Sequence, residues 1–118
     1  MTRSTTSCKF GDVVLVAFPF TSLEATKKRP AVVINSAEYS AQRQDLIVLA
    51  ITSRVPSSPG LGECLISGWM QAGLLKLSAF KPLIATLEQG KVLRKLGRLA
   101  VADVNALNGL LRDVLGEG

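Results

Sequence analysis

Two short polar clusters in this sequence have residue types that bind phosphate groups. The first is the basic run of residues 27–30, in which Lys27, Lys28 and Arg29 precede Pro30. An arginine held at the sheet surface by a rigid proline presents a planar fork of donors, and lysines on an adjoining loop add movable charge. A solvated basic turn before an edge strand has the same composition, so both interpretations stay open.

The second cluster is Thr52, Ser53 and Arg54, which directly follows an apolar run. Hydroxyl side chains at the end of a strand are typical of local turn caps. If the strands before and after residues 35–45 are antiparallel neighbours, however, Thr52 and Arg29 reach the same rim of one sheet. This arrangement would place a cation and a hydroxyl donor at one phosphate.

Residue types that bind metals or transfer protons are scarce. Histidine is absent, and the carboxylates are scattered singly, at Asp12, Glu24, Asp45, Glu63 and Glu88. Divalent cations need several oxygen ligands that converge on one point. The stretch around Gly60 also lacks the Lys-Ser/Thr ending of a phosphate-binding loop. We therefore expect no metal and no cofactor.

Composition predicts a small basic domain. The chain has 118 residues, 47% of them hydrophobic, and a formal net charge of +5. That charge favours encounter with polyanions, although many soluble proteins carry as much. With only Cys8 and Cys64, no disulfide framework is indicated. The N-terminus has no apolar export segment and no run long enough to span a bilayer, so we expect a cytoplasmic protein without membrane contact.

The apolar pattern predicts a mainly β fold with a C-terminal α-helix. Five or six short β-rich runs occur, at residues 13–18, 31–34, 46–51, 63–66, 77–80 and 84–87, with Lys81 and Pro82 separating the last two. Residues 20–29 are expected to form a surface loop. From Asp103 the apolar residues recur at helical spacing up to Gly116, and Gly109 weakens that helix by roughly 1 kcal/mol. We expect a loose tail at 1–9 and one domain, a small twisted barrel, at 10–118.

The chain has one tryptophan, Trp69, which lies in the run of residues 68–75. A single tryptophan in an apolar run is typical of an anchor in a core or an interface. A platform on which a nucleic-acid base stacks is the other interpretation.

Five sequence blocks together resemble a known family. They are residues 11–16 with 18–20, 28–34, 51–53, 69–78 and 95–99. Their order and content are similar to the PemK/MazF family of toxin endoribonucleases, and the agreement extends from about residue 10 to residue 115. Many members have an acidic residue at the position of Ala17 and a proline at that of Leu77, which leaves the RNA sequence preference open.

The resemblance implies an SH3-like twisted barrel, a two-fold homodimer and metal-independent cleavage of single-stranded RNA through attack of its 2′-hydroxyl. It implies that Arg29 and Thr52 are the catalytic pair and that the loop before Arg29 moves over the substrate. Substrate-binding residues are then expected nearby, at Lys27, Lys28, Ser53, Arg54, Phe20, Thr21 and Lys81. A cognate acidic antitoxin would block the RNA groove, the complex would bind DNA, and the free toxin would arrest growth.

Two other functions fit the sequence. A gyrase-poisoning toxin of the CcdB type is similar in fold but acts by binding a protein, and it would not need Arg29 and Thr52 as a pair. A catalytically silent member of the PemK/MazF family would bind only RNA or its antitoxin.

Overall fold

The computed structural model describes residues 8–18 and 27–116. These residues form six strands and two α-helices. The strands are β1 (Asp12–Phe18), β2 (Lys27–Val33), β3 (Asp45–Thr52), β4 (Cys64–Ile66), β5 (Ser78–Glu88) and β6 (Val92–Arg98). The helices are α1 (Ala37–Gln42) and α2 (Val101–Leu115), and one 3₁₀ turn, Gln89–Lys91, joins β5 to β6.

The strands form one antiparallel sheet in the order β4-β5-β3-β2-β1-β6. The sheet curls into a half-barrel with α2 packed against it, which confirms the predicted mainly β, SH3-like barrel with a C-terminal helix. Val32 pairs with Leu49, so β2 and β3 are the antiparallel neighbours that a shared rim requires.

Buried apolar side chains form two clusters, because successive residues of a strand point to opposite faces of the sheet. The first core comprises Cys8, Val14, Val16, Ala31, Val33, Leu46, Val48, Ala50, Ala85 and Leu87. The second core uses the other face and is covered partly by α2; it comprises Val13, Val32, Leu49, Ile51, Ile66, Ala72, Leu74, Phe80, Leu99, Leu107 and Leu110. Both faces are therefore buried, in agreement with the continuous apolar character of β1.

The structure corrects the prediction for residues 27–29. They were expected on a loop, but they begin β2 and pair with β1: Lys27 with Phe18, Lys28 with Ala17 and Arg29 with Val16. Residues 27–29 are polar and do not look like a strand in the sequence, yet the pairing of β2 with β1 continues through them. The side chains of Lys28 and Arg29 therefore extend from a backbone that is fixed in the sheet.

The predicted break at Lys81 and Pro82 is wrong, because β5 continues through both residues. Leu49 pairs with Ile84 whereas Ile51 pairs with Phe80, so β5 bulges over this interval. A bulge tolerates proline because its residues need not donate to the neighbouring strand.

Two elements were missed in the sequence. The segment expected to supply only turns contains the six-residue helix α1, whose N-cap Ser36 accepts a hydrogen bond from the Tyr39 N–H at 3.1 Å. The charged edge strand β6 pairs with β1 through two register shifts, and it carries Arg94 and Lys95. Charge in a strand with irregular register conceals the alternating pattern that identifies strands.

The last two residues of the expected N-terminal tail, Cys8 and Lys9, contact the folded domain. Cys8 is 4% exposed within the first core, and the Lys9 N–H donates to the Asp12 carboxylate at 2.9 Å. That carboxylate is fully buried and also receives Arg98 Nη1 at 2.7 Å, so it ties the domain start to the end of β6. Residues 1–7 lie outside the described residues.

Helix α2 begins at Val101, two residues before the predicted start, and ends before Gly116 as expected. Gly116 adopts φ +78°, a conformation that favours glycine, and its N–H donates to the Arg112 carbonyl. Neither described helix is long and apolar enough to cross a lipid bilayer.

The loop at residues 67–77 is docked on the barrel at two points. Asp103, 2% exposed in the first turn of α2, accepts hydrogen bonds from the Ser67 N–H and hydroxyl at 3.0 Å and from the Gly68 N–H at 2.8 Å. At the second point, Gly73 (φ +85°) lies directly against the Leu96 carbonyl, and a Cβ on Gly97 would lie 2.6 Å from the Ala72 oxygen. Only glycines allow the two backbones to approach this closely.

We expect Gly73→Ala to lower the free energy of unfolding by about 3 kcal/mol, because its methyl group would overlap the Leu96 carbonyl at a positive φ. Gly109→Ala is the matched control: nothing lies within 4 Å of its Cβ position in α2, so it should raise stability by about 0.5–1 kcal/mol. Urea unfolding followed by circular dichroism measures both. Equal midpoints for Gly73→Ala and the wild type would contradict the docked loop.

Candidate functional site

Arg29 and Thr52 lie at one rim of the sheet, on neighbouring strands. The last pair of the β2–β3 ladder at this end is Ala31 with Ala50, and the same antiparallel spacing places Arg29 opposite Thr52 two residues further on. Both residues border the same two clefts. The structure thus brings together the two residues that the sequence suggested as a pair.

Arg29 is held between two strands, yet part of its guanidinium lacks a partner. Its backbone pairs with Val16 of β1, and its Nε atom is shielded from solvent without a hydrogen-bond acceptor in residues 8–18 and 27–116. A buried donor without an acceptor costs free energy, and such groups are often reserved for a ligand. The fixed backbone and the partly exposed side chain suit Arg29 to an incoming anion.

Thr52 has two roles in its local geometry. Its Oγ1 accepts a hydrogen bond from the Arg54 N–H at 3.1 Å, so the side chain does cap the turn after β3. Because a hydroxyl both accepts and donates, this contact fixes the oxygen and leaves the O–H free to donate. The turn cap and the proposed phosphate donor are therefore compatible.

Two clefts meet at Arg29, Thr52 and Ser53. The first cleft has a volume of about 380 Å³ and is lined by Leu15, Lys28, Arg29, Pro30, Ile51, Thr52, Ser53, Gly73, Leu74, Leu75, Lys76, Ser78, Arg94 and Leu96. The second has about 280 Å³ and is lined by Arg29, Ala50, Ile51, Thr52, Ser53, Arg54, Lys81 and Leu83. Arg29, Ile51, Thr52 and Ser53 border both clefts, so the two clefts adjoin along this rim.

The other predicted site residues fall into three groups. Lys28 borders the first cleft, Ser53 borders both, and Arg54 and Lys81 border the second. The backbone of Lys27 begins β2. Phe20 and Thr21 lie outside the described residues.

Sequence reasoning missed two cations of the first cleft, Lys76 and Arg94. Arg94 lies on the unpredicted strand β6, and Lys76 lies on the loop that Asp103 and Gly73 dock. Neither is close to Arg29 in sequence, and no local pattern marked them. The basic closing block at residues 95–99 was the nearest available signal.

The electrostatic character of the clefts is uniform. No aspartate or glutamate is among the described residues that line either cleft. Six cations do line them: Lys28, Arg29, Arg54, Lys76, Lys81 and Arg94. Clefts of one charge sign with low-dielectric walls concentrate the field, so this rim attracts anions.

The cysteines do not have the environment of reactive thiols. Burial raises the pKa of Cys8, the Asp12 carboxylate raises it further, and Lys95 opposes them. Burial also raises the pKa of Cys64, with a smaller contribution from Asp103. Both thiols therefore stay protonated at neutral pH, which makes them poor nucleophiles. In the described part of the chain, no three Cys, Asp or Glu side chains are grouped to hold a metal ion.

Trp69 is partly buried and packs against the second core. Its carbonyl accepts a hydrogen bond from the Leu74 N–H at 3.0 Å, within the docked loop. It does not line either cleft. The packing agrees with the anchor interpretation rather than a base-stacking platform in these clefts.

Solved structures with the same fold include endoribonucleases and MazF proteins. An endoribonuclease in complex with its cognate antitoxin, from a Mycobacterial species, has a TM-score of 0.74 and 15% identity, covering 93% of this chain and 96% of that chain. MazF from Deinococcus radiodurans has a TM-score of 0.73 and 18% identity over 97% of this chain and 100% of that chain. A MazE–MazF structure from the same organism has a TM-score of 0.74 and 17% identity, covering 96% and 100%.

No curated protein sequence matches the chain. At 15–18% identity, the structural likeness establishes the fold and not the activity. The family model described as the PemK-like, MazF-like toxin of type II toxin–antitoxin systems, in contrast, matches residues 9–115. This match covers most of the chain, and the chain therefore belongs to the PemK-like, MazF-like family of toxins.

Proposed function

We propose that this chain is the toxin of a toxin–antitoxin pair and acts in the cytoplasm as an endoribonuclease on single-stranded RNA. The observation that carries the proposal is the rim where Arg29 and Thr52 lie on adjacent strands, between two clefts lined by cations. A purely protein-binding toxin has no need for a guanidinium with an unused donor beside a hydroxyl. The structural likeness to endoribonucleases supports the same activity.

RNA carries its own nucleophile, so the chemistry needs no external one. The 2′-hydroxyl attacks the adjacent phosphorus as it loses its proton, the bond from phosphorus to the 5′-oxygen breaks, and that oxygen gains a proton. The products are a 2′,3′-cyclic phosphate and a 5′-hydroxyl. A metal ion is not required for any of these steps.

Arg29 and Thr52 serve the pentacoordinate transition state by stabilising its charge. The Arg29 guanidinium donates to the phosphoryl oxygens in its planar fork, and the Thr52 hydroxyl donates to the same group. A guanidinium has only hydrogen-bond donors and no acceptor, so the proposed role of Arg29 is electrostatic rather than that of a base. Desolvation of the Nε atom strengthens this interaction because charge is screened less away from water.

We expect purified protein to cut single-stranded RNA into discrete fragments in the presence of EDTA, and to leave DNA of the same sequence intact because it lacks the 2′-hydroxyl. Arg29→Ala should lower the cleavage rate by about 10²-fold or more, because it removes one hydrogen-bond donor to the transition state. Thr52→Ala should lower the rate by a comparable or smaller factor. Gel electrophoresis and end-group analysis measure the fragments and their cyclic phosphate.

Arg112→Ala is the control for charge alone, since Arg112 is exposed on α2 and borders neither cleft. All variants should keep the wild-type circular dichroism spectrum. Cleavage by Arg29→Ala at the wild-type rate would refute the site. Absence of fragments with the wild-type protein would refute the nuclease and favour a toxin that binds a protein target.

A homodimer is the proposed assembly. Large apolar side chains are exposed on the described surface, among them Leu75 at 94%, Leu61 and Val101 at 78% and Met70 at 73%. A two-fold contact would bury part of this surface and join the basic rims of two subunits. Sedimentation equilibrium at micromolar concentration should give twice the chain mass of 12.6 kDa. A species of 12.6 kDa would contradict the dimer.

An acidic antitoxin is the proposed partner. One similar solved structure is an endoribonuclease with its cognate antitoxin and another is MazE–MazF. The cation-lined clefts of this chain offer charge that an acidic segment complements. Such a segment would fold on binding and place carboxylates where the RNA phosphates lie. Charge then speeds the encounter, and buried apolar contacts set the lifetime of the complex.

We expect the product of the adjacent upstream reading frame to inhibit RNA cleavage competitively, with an association rate that falls as salt rises. Stopped-flow mixing at two salt concentrations measures that rate, and cleavage kinetics identify the mode of inhibition. Cells that express the chain alone should stop growing, whereas cells that express both reading frames should grow. Equal growth, or inhibition independent of RNA concentration, would contradict the proposed partner.

A further inference from the structure

The two cations that the sequence did not reveal border the first cleft and not the second. Lys76 and Arg94 are both exposed, one on the docked loop and one on β6. The ion pairs of the described residues involve Asp12 with Lys95 and Arg98, and neither Lys76 nor Arg94 takes part in them. Within the described chain, their charge is directed into the cleft without neutralisation.

The position of Arg94 relative to the rim follows from the strand pairing. Arg94 pairs with Leu15 on β1, and Leu15 pairs with Pro30 on β2. Two strand spacings, roughly 10 Å across the sheet, thus separate the backbone of Arg94 from that of Pro30, the residue next to Arg29. That separation puts Arg94 beyond the group bound at the rim and within reach of the next anion along an extended chain.

Lys76 belongs to a fixed part of the loop. Its carbonyl accepts a hydrogen bond from the Ser78 hydroxyl at 2.9 Å, and Ser78 is 3% exposed. Leu74, two residues earlier, is 8% exposed in the second core. The backbone that carries Lys76 is therefore fixed on both sides, which reduces the entropy lost on binding.

The floor between these cations and the rim is apolar. It consists of Leu15, Pro30, Ile51, Leu74 and Leu96. A nucleotide has the matching composition, with a flat base of low polarity and a charged phosphate. A cleft with an apolar floor and cations at two edges can hold the base while both flanking phosphates meet positive charge.

We propose that Lys76 and Arg94 bind the RNA phosphate next to the one held by Arg29 and Thr52, with the intervening base on the apolar floor of the first cleft. This assignment rests on the proposed nuclease function. Lys76 and Arg94 are positioning residues in this scheme: they fix the register of the RNA across the rim and take no part in bond breaking.

The test compares Lys76→Ala/Arg94→Ala with Lys91→Ala/Arg112→Ala, which removes two exposed positive charges outside the first two clefts. Binding of fluorescent single-stranded RNA with 2′-O-methyl groups, which cannot be cut, is followed by anisotropy. We expect the cleft variant to bind about tenfold more weakly, and the slope of log affinity against log salt to fall by about 0.7, the value for one single-strand phosphate. In cleavage of unmodified RNA, KM should rise while kcat changes little.

Methylphosphonate substitution locates the contact. Neutralising the phosphate next to the cleavage position should weaken wild-type binding and have no further effect in the cleft variant. Lys76→Gln/Arg94→Gln removes both charges but keeps longer, polar, unbranched side chains, and it replaces the alanine variant if that variant fails to fold.

The outcomes separate this proposal from the proposed function. Wild-type cleavage with equal affinity for the cleft and control variants would overturn only the phosphate site. Weaker antitoxin binding with unchanged RNA binding would also overturn it, since the cations would then serve the protein partner. A wild-type chain that neither binds nor cuts RNA would overturn both proposals.

Discussion

The contact between the Asp103 carboxylate and the loop after β4 is the interaction on which the first cleft depends. Three donors from Ser67 and Gly68 converge on this buried carboxylate, so the start of α2 and the loop are fixed to each other. Gly68 lies so close that a Cβ would be 2.9 Å from Asp103 Oδ2. A buried charge is stable only when it is well bonded, and here its bonds place the loop that carries Lys76 along the barrel.

The shared rim is a consequence of strand geometry. Because β2 and β3 are antiparallel neighbours, the residue where one enters the sheet lies opposite the residue where the other leaves it. Arg29, Ile51, Thr52 and Ser53 line both clefts, so this one rim is the boundary that the two clefts share. A chain molecule that crosses the rim can contact both clefts, and this geometry is the basis of the proposed binding of RNA.

Sequence reasoning predicted the part of this site that local signals encode. A basic residue before proline and a hydroxyl at a strand end marked Arg29 and Thr52 as candidates, and hairpin pairing placed them on one rim. The family resemblance then implied that they act as a catalytic pair. Lys76 and Arg94 were not identifiable from the sequence. The position of Lys76 depends on a loop docked by Asp103, and that of Arg94 depends on a charged strand with two register shifts. For the same reason β5 was divided at its bulge: the pairing that carries it past Pro82 is a property of β3 and not of the local sequence.

The basic character of the clefts depends as much on where the carboxylates lie as on where the cations lie. Asp12 and Asp103 are buried and bonded internally, Asp12 to Arg98 and Asp103 to the loop, so their charge is neutralised or screened from the rim by hydrogen bonds within the fold. Other carboxylates border different surfaces, as Glu63 and Asp113 do beside α2. A net charge of +5 spread evenly would give only weak attraction. The absence of acidic residues from the described lining of both clefts concentrates the positive field at the rim.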